Sequence, residues 1–298
     1  MGVQLPEVER EVRWPELLEM ARMVEEVGFD SIWVGDHLLY RDPGQPPRGP
    51  WEAWSLLAAL AAVTERVELG PLVASVSFHN PAMLAKKAAT IDDISGGRLI
   101  LGLGAGWNEP EYAAYGYPFD HRVDRFEEAF AIVRGLLREG AVDFAGRYHQ
   151  ARDCVLVPRP LRETGPPLMV GSTGPRMLRL AAAHADAWNA WFSWFGNRPE
   201  GAAELREKVD AACAEVGRDP GTLVRTAAVL VQVEGEEPPV RGGPQEKAPP
   251  IVGSAVEIAD ALRAFAAEGI AHVQLVVDPI TVTSIERLGA VLEELDRT

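Results

Sequence analysis

The sequence predicts an α/β fold, a (β/α)8 TIM barrel forming a single domain over residues 1–298, with a hairpin inserted between the fourth helix and the fifth strand. Three observations predict it. Eight short apolar runs alternate along the chain with stretches whose apolar residues recur at helical spacing. The run Arg98–Leu103 is continuous in its apolar character, as in a strand buried on both faces. The length suits one barrel of about 250 residues plus insertions. A doubly wound open sheet is the alternative, weakened because no GxGxxG occupies the first βα turn.

Met1–Leu5 reads as the first strand. Trp14–Val27 is a helix, with Leu17, Met20, Ala21, Val24 and Val27 on one face and Gly28 placed as its C-terminal cap. Ser31–Val34 is the second strand and ends at Gly35-Asp36-His37. A Pro- and Gly-rich loop at 41–50 leads to the helix Trp51–Val63. Glu68–Ser75 is a third strand, broken by Gly70-Pro71. Pro81–Ile94 is a helix with proline in its first turn, and Arg98–Leu103 is the fourth strand. After the helix Val123–Leu137, residues 142–160 alternate apolar and polar around Gly146, which predicts the hairpin of an insertion at about 140–165. Pro167–Val170, Ala187–Trp191, Val224–Val233 and His272–Val277 are the remaining strands. Their helices are Arg176–His184, Pro199–Val216, Ala255–Ala267 and Ile280–Leu295. Between the last two strands, the Pro, Gly and charge of about 234–252 predict a flexible loop.

Composition narrows the function. A net charge of −15 disfavours nucleic acid, and no basic cluster offsets it. No apolar run is long enough to span a membrane. The start of the chain lacks the pattern of a secretory signal, so a cytoplasmic protein is expected. Cys154 and Cys213 lack metal-ligand spacing, no HxH or HExxH occurs, and no metal is expected. GxSxG and a Ser-His-Asp arrangement are absent, which disfavours nucleophilic hydrolysis.

In a barrel the site lies at the C-terminal strand ends. That rule gathers Asp36, His37, Gly70–Val73, Gly104–Asn108, Gly171–Arg176 and Trp188–Trp191. Asp36 and His37 supply a carboxylate and an imidazole that can bind a ligand and move a proton; a turn cap is the plainer reading. Glu109 is a second candidate acid. The strand-breaking Pro71, with Leu72 and Val73, points to a bulge that can back a planar ring or merely relieve strand geometry. Gly106, Trp107 and Asn108 offer close backbone approach, an aromatic face and a polar group. Gly171, Ser172, Thr173 and Gly174 open a helix whose N–H groups can hold a phosphate, with Arg176 adding charge; an ordinary helix capped by Ser172 or Thr173 is the alternative. His79 and Asn80 read as loop or capping residues, and His121, His149, His184 and His272 as structural or surface groups.

The segments FDSIWVGDHLL (29–39), LGPLVASVSFHNPAMLAKKAATIDDISGGRLILGLGAGWNEPEYAAYG (69–116), FAGRYH (144–149) and PLMVGSTGPRMLRLAAAHADAWNAW (167–191) resemble the bacterial luciferase-like superfamily, closest to its branch that uses coenzyme F420, a deazaflavin. The resemblance implies an oxidoreductase that moves a hydride between the deazaflavin and a small organic substrate. It implies that Asp36 and His37 contact the ring and serve proton transfer. Pro71, Leu72 and Val73 match a bulge that backs the ring and often holds a non-prolyl cis peptide, although Pro71 itself departs from the usual small residue. Gly106, Trp107 and Asn108 match the rim of the ring site, and Gly171–Gly174 the phosphate loop, with Arg176 near the cofactor's tail. The insertion matches one that covers the pocket or forms dimers, so a homodimer is expected. Arg41 stands where one branch has an aromatic, so a sugar-phosphate specificity does not carry over. Two alternatives stay open: an FMN-dependent monooxygenase fed with reduced flavin by a partner reductase, and a non-catalytic flavin- or deazaflavin-binding protein.

Overall fold

A computed structural model describes residues 1–233 and 248–297. In chain order the elements are β1 (Gly2–Gln4), α1 (Trp14–Glu26), β2 (Ser31–Val34), α2 (Ala53–Val63), β3 (Glu68–Pro71), β4 (Ala74–Ser75), α3 (Pro81–Ile94), β5 (Leu101–Gly104), α4 (Glu109–Tyr115) and α5 (Arg122–Glu139). They continue with β6 (Ala141–Ala145), β7 (Gln150–Val155), β8 (Leu168–Gly171), α6 (Pro175–His184), β9 (Ala187–Ala190), α7 (Pro199–Glu215), β10 (Val224–Val233), β11 (Ile251–Gly253), α8 (Ala255–Ala267), β12 (His272–Val277) and α9 (Val282–Asp296). The fold is α/β, and each of the eight stretches predicted as strands carries strand structure.

The chain divides into two compact units, Met1–Trp33 with Val170–Thr298, and Val34–Met169. In the first, strands run in the order β2-β1-β12-β10-β9, and the pairs β1–β2, β1–β12, β10–β12 and β9–β10 are parallel. Val3, Leu275, Val229 and Ile32 are buried there, as are Leu17, Met20 and Val24 of α1. Gly2 needs its missing side chain: a Cβ would lie 2.1 Å from Ser31 Oγ. That hydroxyl accepts from Trp33 Nε1–H at 2.7 Å and lies 2.8 Å from His272 Nε2. Burial, helped by the positive chain N-terminus, pushes the His272 imidazole down to about 4.

In the second unit, Leu69 bridges to Leu99 in parallel, and β4 pairs with β5. The third predicted strand is not continuous. It divides into β3 and β4 at Leu72–Val73, where the peptide bond is cis and non-prolyl; the break therefore falls just after Gly70-Pro71. Gly102 of β5 faces this bulge, and a Cβ there would lie 2.2 Å from Pro71 O. Arg98 is not the start of a strand. Its guanidinium donates to Ala61 O, Thr64 O and Val67 O, closing the carbonyl end of α2 and tying it to the turn before β5.

Residues 141–155 form the antiparallel pair β6–β7, as the alternation predicts. Glu128 of α5 holds its turn by accepting the N–H groups of Arg147, Tyr148 and His149, which keep the carboxyl below its ordinary range against the cost of burial. Of the stretch predicted as a flexible loop, 234–247 lies outside the described residues, while Ile251–Gly253 is β11, paired in parallel with β10. Among the described residues no helix is long and apolar enough to cross a membrane.

Candidate active site

The site in the unit Val34–Met169 is built from the ends of β2 and β4, the loop after β5 and the short helix α4. Asp36 and His37 are adjacent in sequence but face different partners. His37 Nδ1 lies 2.8 Å from Glu111 Oε1. The other oxygen of Glu111 accepts the N–H groups of Leu38, at 2.8 Å, and Leu39, at 3.3 Å. Glu111 is 1% exposed. A buried carboxylate that accepts on both oxygens orients the imidazole through Nδ1.

Glu111, which sequence reasoning did not single out, is the carboxylate that pairs with His37, while the candidate acid Glu109 lies two residues earlier. Glu109 is exposed in the first turn of α4, and two residues later the helix turns inward. Asn108, the helix cap residue, is buried, and its Nδ2–H donates to Leu39 O at 2.9 Å, so it braces the loop that carries His37. Trp107 is 63% exposed and packs edge-on against His37, with ring centres 5.6 Å apart. Tyr40 completes the group, 4.9 Å from His37 and 6.2 Å from Trp107. Sequence reasoning passed over Tyr40, although the loop after Asp36-His37 does carry an aromatic, one residue before Arg41.

Asp36 turns to the other side. Its Oδ2 accepts Ser75 N–H at 3.0 Å and lies 2.9 Å from His79 Nε2. His79 is therefore not a mere loop residue. Asn80 caps α3 by accepting Met83 N–H, Pro81 occupies the first turn, and His79 is fixed just ahead of the cap. Asp36 Oδ1 has no protein partner among the described residues. Ser75 Oγ and Tyr112 Oη lie 2.8 Å apart, and burial pushes the Tyr112 phenol above its ordinary range. Tyr112 explains Gly106, which has φ +75°: a Cβ there would lie 1.8 Å from the phenol oxygen. Gly106 O in turn accepts from Arg122.

Pro71, Leu72 and Val73 lie next to this group through Ala74 and Ser75 of β4, with Leu72 N–H donating to Val34 O at 2.8 Å. Asp36, His37, Pro71–Val73 and Gly106–Asn108 thus belong to one unit. Gly171, Ser172, Thr173, Gly174 and Arg176 belong to the other. There, Gly174 is the cap residue of α6, not Ser172 or Thr173, and Ser172 Oγ accepts Gly174 N–H at 3.2 Å. Trp188 Nε1–H donates to Ser172 O at 2.7 Å, which fixes the loop from beneath. Thr173 is half-buried and Arg176 is exposed in the first turn of α6.

The family description of the luciferase-like monooxygenases matches residues 2–238. The chain belongs to this family. A phthiodiolone/phenolphthiodiolone dimycocerosates ketoreductase of Mycobacterium sp. (strain JLS) is 33% identical over 229 residues, 68% of this chain and 57% of that protein. An F420-dependent glucose-6-phosphate dehydrogenase of Amycolatopsis mediterranei (strain U-32) is 36% identical over 179 residues, 58% of this chain and 52% of that protein. The chain therefore spans about half the length of these curated relatives. Among solved structures, an F420-dependent secondary alcohol dehydrogenase in complex with an F420-acetone adduct superposes with a TM-score of 0.78 at 23% identity, covering 93% of this chain and 94% of that one. At that identity the likeness is one of fold.

Proposed function

We propose that this luciferase-like protein is a coenzyme F420-dependent oxidoreductase that transfers a hydride between the deazaflavin and a small organic substrate. The observation that carries it is the Glu111–His37 pair, an imidazole oriented by a buried carboxylate at a rim lined by Tyr40 and Trp107. The name of one curated relative, the F420-dependent glucose-6-phosphate dehydrogenase, supports F420 as the cofactor.

The residues present suit such a ring. Asp36 Oδ1 is an acceptor for a ring N–H, and the apolar Leu72–Val73 bulge offers a flat backing. When bound, the deazaflavin supplies hydride chemistry. Asp36 anchors its ring. His37, held through Nδ1, gives or takes the substrate's proton at Nε2. Gly106–Asn108 form the rim, and Gly171–Gly174 with Arg176 hold phosphate and tail. Glu109, exposed beside this rim, is the lesser candidate acid. We further propose a single (β/α)8 barrel domain over 1–298 with 140–165 as its insertion, acting in the cytoplasm as a homodimer.

Turnover tests the reading. Purified protein with F420 and a panel of small alcohols and ketones should change the deazaflavin absorbance. His37→Ala should lower turnover by about 10²–10⁴-fold, the usual worth of a general acid–base group. Unchanged turnover in His37→Ala removes that role. Oxygen uptake with reduced FMN, in place of F420 turnover, would favour the monooxygenase reading.

A further inference from the structure

In the unit Met1–Trp33 with Val170–Thr298, the inner face of the parallel sheet is polar, where such a face is usually filled by branched apolar side chains. Two hydrogen bonds show which face is the inner one, because each skips a strand. Ser31 of β2 reaches His272 of β12 past β1, and Asn189 of β9 reaches Gln274 of β12 past β10. Gly2 of β1 is paired with Gln274, and Gln4, two residues further along β1, points to the same side. Gln4 is 3% exposed and Gln274 0%. Yet Gln4 Oε1 and Gln274 Nε2 are buried without a hydrogen-bond partner among the described residues. Buried polar atoms without partners are rare in native proteins, and each one calls for an explanation.

The neighbours decide which end of each amide is left over. Thr226 Oγ1–H donates to Trp188 O at 3.1 Å, so the same oxygen is an acceptor for Asn189 Nδ2–H at 2.9 Å. Asn189 Nδ2–H also donates to Gln274 Oε1 at 2.9 Å, which turns Gln274 Nε2 away from Asn189. On β1, Gln4 Nε2–H donates to Glu7 Oε2 at 3.2 Å, which leaves Oε1 as the unspent end. Turning either amide over would lose the bond it already makes. The two orphans are therefore one donor and one acceptor. Strand spacing and rise put the Cα atoms of Gln4 and Gln274 about 8 Å apart on one face, a span that two glutamine side chains close with one atom between them. Gln274 has Gly2 and Ala228 as its paired neighbours, and neither carries a side chain that can reach its amide.

We propose that this inner face binds one hydroxyl oxygen, which accepts a hydrogen bond from Gln274 Nε2–H and donates one to Gln4 Oε1. The ligand has to do both. A carbonyl or carboxylate oxygen would set acceptor against acceptor at Gln4, and an ammonium group would set N–H against N–H at Gln274. Two buried amide atoms left unpaired cost more than immobilising one small molecule between them. The bound oxygen joins two groups of side chains that are already fixed. Asn189, Thr226 and Gln274 lie on one side of it, and Gln4 with Glu7 on the other. It thereby ties Glu7, just beyond the C-terminal end of β1, to β12. Two sources share this chemistry: an internal water and the hydroxyl of a bound small alcohol.

A high-resolution crystal structure of the unliganded full chain tests the site. It should show one oxygen at about 2.7–3.2 Å from both Gln4 Oε1 and Gln274 Nε2. Gln274→Met keeps the length of the side chain and removes the donor, and that oxygen should be lost from its structure. No oxygen at this position in wild type overturns the proposal. So does an oxygen that touches only one of the two amides, or a direct bond between them, or an oxygen unmoved in Gln274→Met. Should Gln274→Met not fold, the wild-type density decides alone. Solution NMR then identifies the source of the hydroxyl, by magnetisation transfer to the side-chain amide protons of Gln274 with propan-2-ol added. Transfer from the methyl protons of propan-2-ol marks a site for alcohols, and transfer from water alone marks an internal water. No cofactor enters these measurements, so their failure and the failure of the F420 reading are separate events.

Discussion

His37 shows how much one residue's chemistry depends on a partner far away in sequence. The Asp36-His37 pair is legible as a motif at a strand end, but the carboxylate that orients the imidazole is 74 residues away. The motif also reads as if Asp36 served His37. Consecutive side chains of extended backbone point to opposite sides, and the structure gives Asp36 to His79 and His37 to Glu111. Glu109 and Glu111 are equivalent in composition. Only the placement of α4 makes the first exposed and the second buried. His79 was illegible for the same reason: its partners are contributed by the end of β2 and by α2. Glu111→Gln keeps the shape of the side chain and removes the charge that orients the imidazole through Nδ1. Turnover with F420 should fall by about 10²-fold or more, with cofactor binding little changed. A variant turning over at the wild-type rate would mean that Glu111 only braces the loop through Leu38 and Leu39.

At the level of elements, the glycines before and after the central turn are the clearest case of sequence reporting geometry. The run LGLGAG was legible as a strand end needing close approach, but not what approached it. Gly102 admits the Pro71 carbonyl of the β3–β4 bulge, and Gly106 admits the Tyr112 phenol. Gly102→Ala forces backbone against a new methyl group, because Pro71 O has no flexible side chain to withdraw. Chemical denaturation should show a loss of about 1–3 kcal/mol, the usual cost of overpacking; a loss within error would mean that the bulge is free to shift. Arg98 was hidden from periodicity altogether. It occupies a strand-like position, yet it spends its guanidinium on the carbonyls at the end of α2. The hairpin was legible from its alternation and from Gly146, whereas Glu128 as the clasp of its turn was not, since α5 reads as a plain amphipathic helix.

For the whole molecule, the alternation of strand and helix made the fold class legible, because it depends on patterns repeated eight times rather than on any single contact. Global stability should carry the mark of His272. Its imidazole titrates near 4 in the folded protein and near 6.5 when unfolded. Above 6.5 the group is neutral in both states and adds no pH dependence. As the pH falls from 6.5 towards 4, the unfolded chain takes up a proton that the folded one does not, and stability falls by up to about 3 kcal/mol. Unfolding free energies from pH 7 to 4 should therefore drop more steeply for wild type than for His272→Gln; parallel curves would place the imidazole in contact with solvent. The central claim concerns the cofactor, and it is tested most directly by titrating the purified protein with coenzyme F420 and, in parallel, with FMN, following tryptophan fluorescence. Trp107, beside His37, is placed to report. The expected result is saturable quenching by F420 at far lower concentration than by FMN, lost in Trp107→Phe for the component that this ring contributes. Tight FMN binding with no response to F420 would contradict the claim.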